Sequence, residues 1–384
     1  MFILNPPYIS ELLKETIKKN KYKVVKNSAS VEEMTDYEFL LDDSSVIDIA
    51  KNNKDFKLYA NSENSIEWII NNLDFTDIPQ KINLCKDKVK FRKLLQRIYP
   101  DFYFREITVD EIKLLDKNNL KYPFILKPAV GFLSFGVYPV KNESDYERVI
   151  LNIDKDIDNF KNVFPKEVVD SSKFIIEEMI DGEEYAVDAY YNSRGEAVIL
   201  NIFHHPFFDE NDVSDRIYYT SKKVIQENIK EFQKLLTLIG KEAGFKNFPM
   251  HIEVRRNGNK IVPIEINPMR FAGWCVTDLA SFAYNINIYE CFEDELQPDW
   301  NKILNSTDEA FYYFICADIP SNIDKSKIKS VDYDSFISKL SHPLEVRKID
   351  YMKKPLFAVI FGKTFEYEEI KKVLSLDLSN FFII

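Results

Sequence analysis

Glycine is scarce in this 384-residue chain: there are nine, and all lie at or after Gly131. The first 130 residues therefore cannot hold the G-x-G-x-x-G turn of a dinucleotide-binding fold. No G-x-x-x-x-G-K-[ST] run exists either, which removes the P-loop as a phosphate cradle. Cysteine is equally sparse, at positions 85, 275, 291 and 316, with no C-x-x-C and no histidine pair at zinc spacing. A disulfide framework or structural zinc site is thus not expected, and a reducing, cytoplasmic setting fits. The first residues lack the charged-then-apolar pattern of a signal peptide. No apolar run approaches the roughly 18 residues that a membrane-spanning helix needs, so no membrane partner is expected. Basic residues are in deficit, 51 against 62 acids, for a net charge of −11. That speaks against a nucleic-acid surface, which requires a basic footprint.

What is present describes an ordinary globular protein, 45% hydrophobic and 29% charged, long enough for two or three domains. Short apolar runs at 2–4, 22–25, 39–41 and 56–60 alternate with helical patterns at 10–20 and from 66 onward, which predicts a small parallel α/β unit. Pro79 and the polar stretch after it suggest a boundary near residue 80. A helix is expected over 87–97, and a capping box at Thr108 and Glu111 opens another. Strands are expected at 124–127, 137–140, 174–179, 184–191 and 197–203. A long helix over 221–243 closes on Gly244.

The chemistry concentrates at the end of this region. Segments 250–256 and 262–270 read as two strands, with Asn257-Gly258 as a two-residue type I′ turn and Glu253 and Glu265 near its turn-distal ends. Glu265 and Asn267 are two apart and so share a strand face. Two carboxylates and an amide then converge, a donor set that suits Mg²⁺ and leaves positions for phosphates. A bare Glu-hairpin-Glu is more often a solvated edge, so the weight falls on what accompanies it. His251 would face the same side as Glu253; a metal-orienting role and a purely structural one are both open.

Four ordered pieces accompany it: Cys85-Lys86-Asp87-Lys88, Phe124-Ile125-Leu126-Lys127-Pro128, the run from Ile176-Glu177-Glu178-Met179-Ile180 to Glu184-Tyr185, and Glu253 with Glu265-x-Asn267. Together, over roughly 85–300, they resemble the ATP-grasp carboxylate–amine ligases. Arg270-Phe271-Ala272-Gly273-Trp274 is similar to the bacterial L-amino acid ligases within that family.

The resemblance implies an ATP-grasp fold of mixed α/β and α+β class. Its parts would be an N-terminal parallel α/β domain at 1–84, an ATP-grasp domain at 85–300 with a lid subdomain near 122–180, and a small C-terminal α+β subdomain at 301–384. ATP and Mg²⁺ (Mn²⁺ as the alternative) are the implied cofactors. Lys127 and Lys88, with Lys86 and Lys90 as rivals to the latter, would meet the phosphates. The 131–136 loop, with Gly131 and Ser134, would cover the triphosphate, although its two phenylalanines depart from the usual glycine-rich lid. Backbone groups of Glu178 and Ile180 would read adenine, with Glu177 accepting from its amine. Glu184 would take the ribose hydroxyls, and Glu253, Glu265 and Asn267 the metal. Arg270 would hold the transferring phosphoryl group, and His205 and Arg216, in a polar loop, the substrate carboxylate. The implied reaction joins a small carboxylate to an amine through an acyl phosphate. A non-catalytic regulatory ATP-binding module and a bicarbonate-using carboxylase or carbamoyl-phosphate type enzyme are the alternatives. Small molecules are the expected partners, with a homodimer as one assembly to consider.

Overall fold

A computed structural model describes all residues except 35–36, 131–135, 164–172, 210–211 and 213, and describes the backbone alone at 37 and 156–163. The first strands form a parallel sheet in the order Leu40–Leu41, Val24–Val25, Phe2–Ile3, Tyr59–Ala60. Helix Glu11–Asn20 packs Leu13 and Ile17 against it, while Leu12 is only half-buried. Pro79 stands within a helix rather than in a linker. It occupies the first turn of helix Ile78–Lys86, where its missing N–H has no intrahelical acceptor to lose. Helix Lys88–Leu95 follows at once, with the Asp87 side chain accepting from the N–H groups of Val89 and Lys90.

A second, antiparallel sheet has the order Phe104–Thr108, Lys173–Glu178, Phe124–Pro128, Tyr138–Val140, with helix Glu143–Val163 after it. Its core is separate, built on Ile107, Ile112, Phe124, Leu126, Val140 and Phe174 among others. This sheet begins before residue 122. Strand Phe104–Thr108 escaped prediction because only Ile107 among its five residues is buried, so the alternation is faint.

The third sheet is the frame of the molecule. Its eight antiparallel strands run Lys260–Pro268, Phe248–Asn257, Glu183–Tyr191, Ala197–His205, Ile217–Ser221, Phe311–Asp318, Leu356–Thr364, His342–Lys348. The last three come from beyond residue 300, so the C-terminal segment completes this sheet. The only small sheet of its own among the described residues pairs Ser330–Val331 with Phe382–Ile383. Helix Lys222–Ala243 lies along one face and ends on Gly244 at φ 65°, as the left-handed cap position requires. It packs so closely that a Cβ at Gly240 would overlap the Tyr191 ring. We expect Gly240→Ala to destabilise the protein by about 1–3 kcal/mol, the usual scale of core overpacking. An unchanged urea midpoint would show that this contact gives way freely.

The hairpin differs from expectation by one residue. Asn257 pairs with Lys260, so Gly258-Asn259 form the two-residue loop. Gly258 has φ +60° while Asn259 is not in the left-handed region, the pattern of a type II′ turn rather than I′. A bulge lies between Glu253 and Val254 in the pairing, and Glu253 and Glu265 stand in mid-strand rather than at the ends.

Candidate active site

Register places the site. On one face of the large sheet Asn267 stands opposite His251, which stands opposite Asp188. Two residues along, Glu265 faces Glu253. Two further, Arg255 faces Glu184, and Glu184 faces His205. Three polar rows thus cross strands whose other face carries apolar side chains under the long helix, the period-2 rule applied to four strands at once.

Within the rows the side chains are bonded. His251 Nδ1 lies 2.8 Å from Asp188 Oδ1, which also accepts from the Ala272 N–H at 2.8 Å. Asn267 Nδ2 is 3.4 Å from both Glu253 Oε1 and Glu265 Oε1. Glu184 is held by His205 and by Arg255, each at 3.1 Å, and Arg255 also donates to the Ile180 carbonyl at 3.0 Å. Burial, then Glu265, Glu184 and Asp215, drive the Glu253 carboxyl well above the carboxylate range. Glu265 goes the other way: burial opposes its ionisation, but Lys88 and Lys86 outweigh it.

This donor set fits a hard cation. The two side chains remain 24% and 30% exposed, so an ion can reach them. They repel each other across the hairpin, which a cation between them would reverse. An amide flip would present Asn267 Oδ1 in place of its NH₂. Among the described residues no three His, Cys, Asp or Glu side chains gather as a metal cluster. Two carboxylates plus an amide match an ion such as Mg²⁺ that takes its other ligands from phosphate and water.

Lysines approach from two other elements. Lys88 heads its helix, donates its N–H to Ala129 O at 2.8 Å, and brings Nζ within 3.8 Å of Glu265. Burial lowers its pKa, with Glu265 opposing. Its rivals turn elsewhere, Lys86 to Glu63 at 2.8 Å and Lys90 to Asp87 at 3.5 Å. Lys127 and Glu177 stand diagonally on one face of the lid sheet and form an ion pair, and Glu177 is also bonded by Arg92 at 2.7 Å. Burial works against the Glu177 carboxylate, yet Lys127 and Arg92 bring its pKa down to about 2. Its oxygens already serve two cations, which differs from the expected role as acceptor for an adenine amine. The Glu178 N–H donates to Tyr103 O at 3.0 Å, so only its carbonyl could take that amine. The Ile180 N–H has no acceptor among the described residues.

Arg270 follows Met269, whose φ of 64° is unusual for a residue with a side chain. Two backbone bonds hold that conformation, Met269 N–H to Pro249 O and Ala60 N–H to Met269 O, both 2.8 Å. The guanidinium then reaches Glu63 at 2.8 Å and Phe271 O at 2.9 Å, within electrostatic reach of Glu253 and Glu265.

Two expected residues stand differently. His204 and His205 belong to strand Ala197–His205, not to a loop, and they point to opposite faces. His205 is in the third polar row and stacks on Tyr218, whereas His204 meets the Tyr219 hydroxyl on the helix side, where burial lowers its pKa to about 4. Arg216 turns away: its guanidinium binds Asp318 at 3.3 Å and Leu376 O at 3.1 Å, and none of the other candidate residues. Its neighbour Asp215 accepts from the Tyr218 hydroxyl at 2.7 Å, and its charge is among those that raise the Glu253 pKa. Gly131 and Ser134 lie outside the described residues.

Sequence reading overlooked Asp188, Arg92, Glu63 and Arg255. Asp188 carried a usable signal, a lone acid inside the apolar run 185–191. Arg92 is one helical turn after Lys88 and so shares its face. Glu63 offered none, since Arg270, which it holds, is 207 residues away.

Residues 120–278 match the family model described as an ATP-grasp domain. The chain carries an ATP-grasp domain. The matched span runs from the lid sheet through the carboxylate hairpin, and the whole chain has the ATP-grasp fold. No protein of curated function matches. Among solved structures, L-amino acid ligase from Bacillus licheniformis superposes with TM-score 0.66 at 14% identity, covering 99% of this chain and 96% of that one. Biotin carboxylase from Campylobacter jejuni gives 0.63 at 15%, with 97% and 89% covered. N5-carboxyaminoimidazole ribonucleotide synthetase from Thermotoga maritima gives 0.60 at 11%, with 99% and 98% covered. At such identities the likeness is one of fold, and it extends beyond the ATP-grasp domain over nearly the full length.

Proposed function

We propose that the protein is an ATP-dependent, ADP-forming ligase that joins a small carboxylate to an amine. The observation that carries this reading is the pair Glu253 and Glu265, opposed across one hairpin with Asn267, in reach of Lys88 and Arg270, in an ATP-grasp domain. No side chain here is needed as a covalent nucleophile. Glu253, Glu265 and Asn267 would hold Mg²⁺, which when bound neutralises phosphate charge. Lys88, bonded through its N–H to Ala129 O, and Lys127 on the strand before it add positive charge, and Glu184, one row from the carboxylate pair, would take the ribose diol. The substrate carboxylate attacks the γ-phosphate, ADP leaves, and an amine displaces phosphate from the acyl phosphate. The residues contribute by positioning and by fixed charge. L-Amino acid ligase from Bacillus licheniformis supports an amino acid as the acid. The division at 84 and 300 is likewise our proposal, as is a cytoplasmic setting, which the absence of any described helix able to cross a membrane allows.

ADP release tests the reading. A pool of amino acids and amines should elicit Mg²⁺-dependent ADP formation. Turnover with bicarbonate alone would assign the chain to the carboxylating class instead. ATP binding without turnover on any acid would make it a binding module. Adenine reading by the Glu178–Ile180 backbone makes a further expectation. Mg-ATP at a hundredfold excess over its Kd should stabilise the protein by roughly 2.7 kcal/mol, and GTP by much less. Equal thermal shifts would remove adenine selection from this strand.

A further inference from the structure

Lys127, Glu177 and Arg92 form a buried triad that the reaction chemistry alone does not require. Their exposures are 5%, 2% and 2%. The carboxylate is divided, one oxygen to each cation: Oε1 pairs with Lys127, while Oε2 accepts from Arg92 Nε at 2.7 Å. Arg92 is also fixed independently of Glu177. Its Nη1 donates to Pro263 O in the carboxylate hairpin at 2.7 Å, and its guanidinium lies 4.5 Å from the Phe102 ring centre. It therefore ties three elements together: the helix that begins with Lys88, the strand leading to the adenine hinge, and the strand that carries Glu265.

The charges say what this arrangement does. Lys127 can neutralise a nucleotide phosphate only by leaving Glu177 in part or whole. With Lys127 as its sole partner, Glu177 would then be a buried carboxylate with no counter-ion, and that stranded charge would hold the lysine back. With Arg92 in place, departure of Lys127 leaves a neutral Arg92–Glu177 pair. We propose that Arg92 is a positioning residue that keeps Lys127 exchangeable between Glu177 and the phosphates of a nucleoside triphosphate. The proposal rests on the nucleotide site of the ligase reading and assigns Glu177 the part of a resting partner for that lysine. The fork matters as well as the charge, since Pro263 O and Glu177 are bonded by different nitrogens of one planar group.

Binding measurements on the full chain test it without turnover. Dissociation constants for Mg-ATP and for adenosine, which lacks phosphates, are compared in the natural protein, Arg92→Met, Arg92→Lys and the double variant Arg92→Met with Glu177→Gln. Arg92→Met should weaken Mg-ATP by at least about tenfold and leave adenosine within about twofold. Adding Glu177→Gln removes the carboxylate that detains Lys127, so Mg-ATP binding should return to within about threefold of the natural protein. Arg92→Lys keeps a charge but loses the fork, and should lie between. If Arg92→Met does not fold, Arg92→Lys carries the same contrast: Mg-ATP weakened severalfold, adenosine unchanged. Equal loss for Mg-ATP and adenosine would make Arg92 a strut for the hinge and overturn the proposal. So would a double variant no better than Arg92→Met, or no effect of either single substitution. Failure of the natural protein to bind Mg-ATP or adenosine at all would instead overturn the nucleotide site, and this inference with it.

Discussion

Glu265→Gln should reduce ADP formation by at least about 10²–10³-fold with the fold intact, the scale seen when one charge-stabilising group is lost from a reacting centre. Glu265 stands directly opposite Glu253, with Lys88 3.8 Å from one oxygen and Asn267 3.4 Å from the other. Glutamine fills the same volume but contributes no negative charge, so the hairpin keeps its packing while its hold on a divalent cation weakens. The fold should persist: the substitution removes the like charge that raises the Glu253 pKa, while loss of the contact with Lys88, which favours ionised Glu265, works the other way. The two readouts are separate: a normal circular dichroism spectrum without nucleotide, and a diminished Mg²⁺-dependent shift in Tm with it. Full turnover together with a normal circular dichroism spectrum would exclude Glu265 from the metal site.

Much of this site was legible because it lies on regular elements. Periodicity alone places Glu265 and Asn267 on one strand face, and Lys127 on the strand 124–128. Family spacing adds Lys88, and the geometry favours it over Lys86 and Lys90, whose amines are turned to Glu63 and Asp87. What was not legible depends on pairing between distant strands. Asp188 becomes part of the site only because strand 183–191 lies beside strand 248–257 in a register that puts it opposite His251. Arg216 illustrates the converse. Its position before the long helix suggested the substrate, but strand Ile217–Ser221 pairs with Phe311–Asp318, and that pairing draws the guanidinium to Asp318. The place of the C-terminal strands was hidden for the same reason. The continuous apolar runs 311–317 and 356–361 are what a strand buried on both faces looks like, but only tertiary pairing shows that they continue the large sheet.

Arg270→Ala should keep measurable Mg-ATP binding and lose acyl-phosphate formation by at least about 10²-fold. The guanidinium is fixed from two sides, by Glu63 at 2.8 Å and by Phe271 O at 2.9 Å, and the left-handed backbone at Met269 aims the segment. Such pre-orientation helps most where charge develops during transfer, so its removal should act on kcat more than on nucleotide affinity. The fold should tolerate the change, because Glu63 retains Lys86 at 2.8 Å and is not left as a lone buried charge. Burial opposes the Glu63 carboxylate, but Lys86 and Arg270 together lower its pKa to about 2. With Lys86 alone the value should rise while the group stays ionised at neutral pH. Arg270→Lys should recover little, since an ammonium cannot bond Glu63 and the Phe271 carbonyl with one rigid fork while presenting its remaining donors to the substrate. Single-turnover ADP formation with the preferred acid, set beside the Mg-ATP dissociation constant, decides the matter. Abolished ATP binding would make Arg270 a nucleotide ligand. Intact turnover would reduce it to a brace between Glu63 and the hairpin, and would take from the amino-acid-ligase reading the residue on which its resemblance chiefly rests.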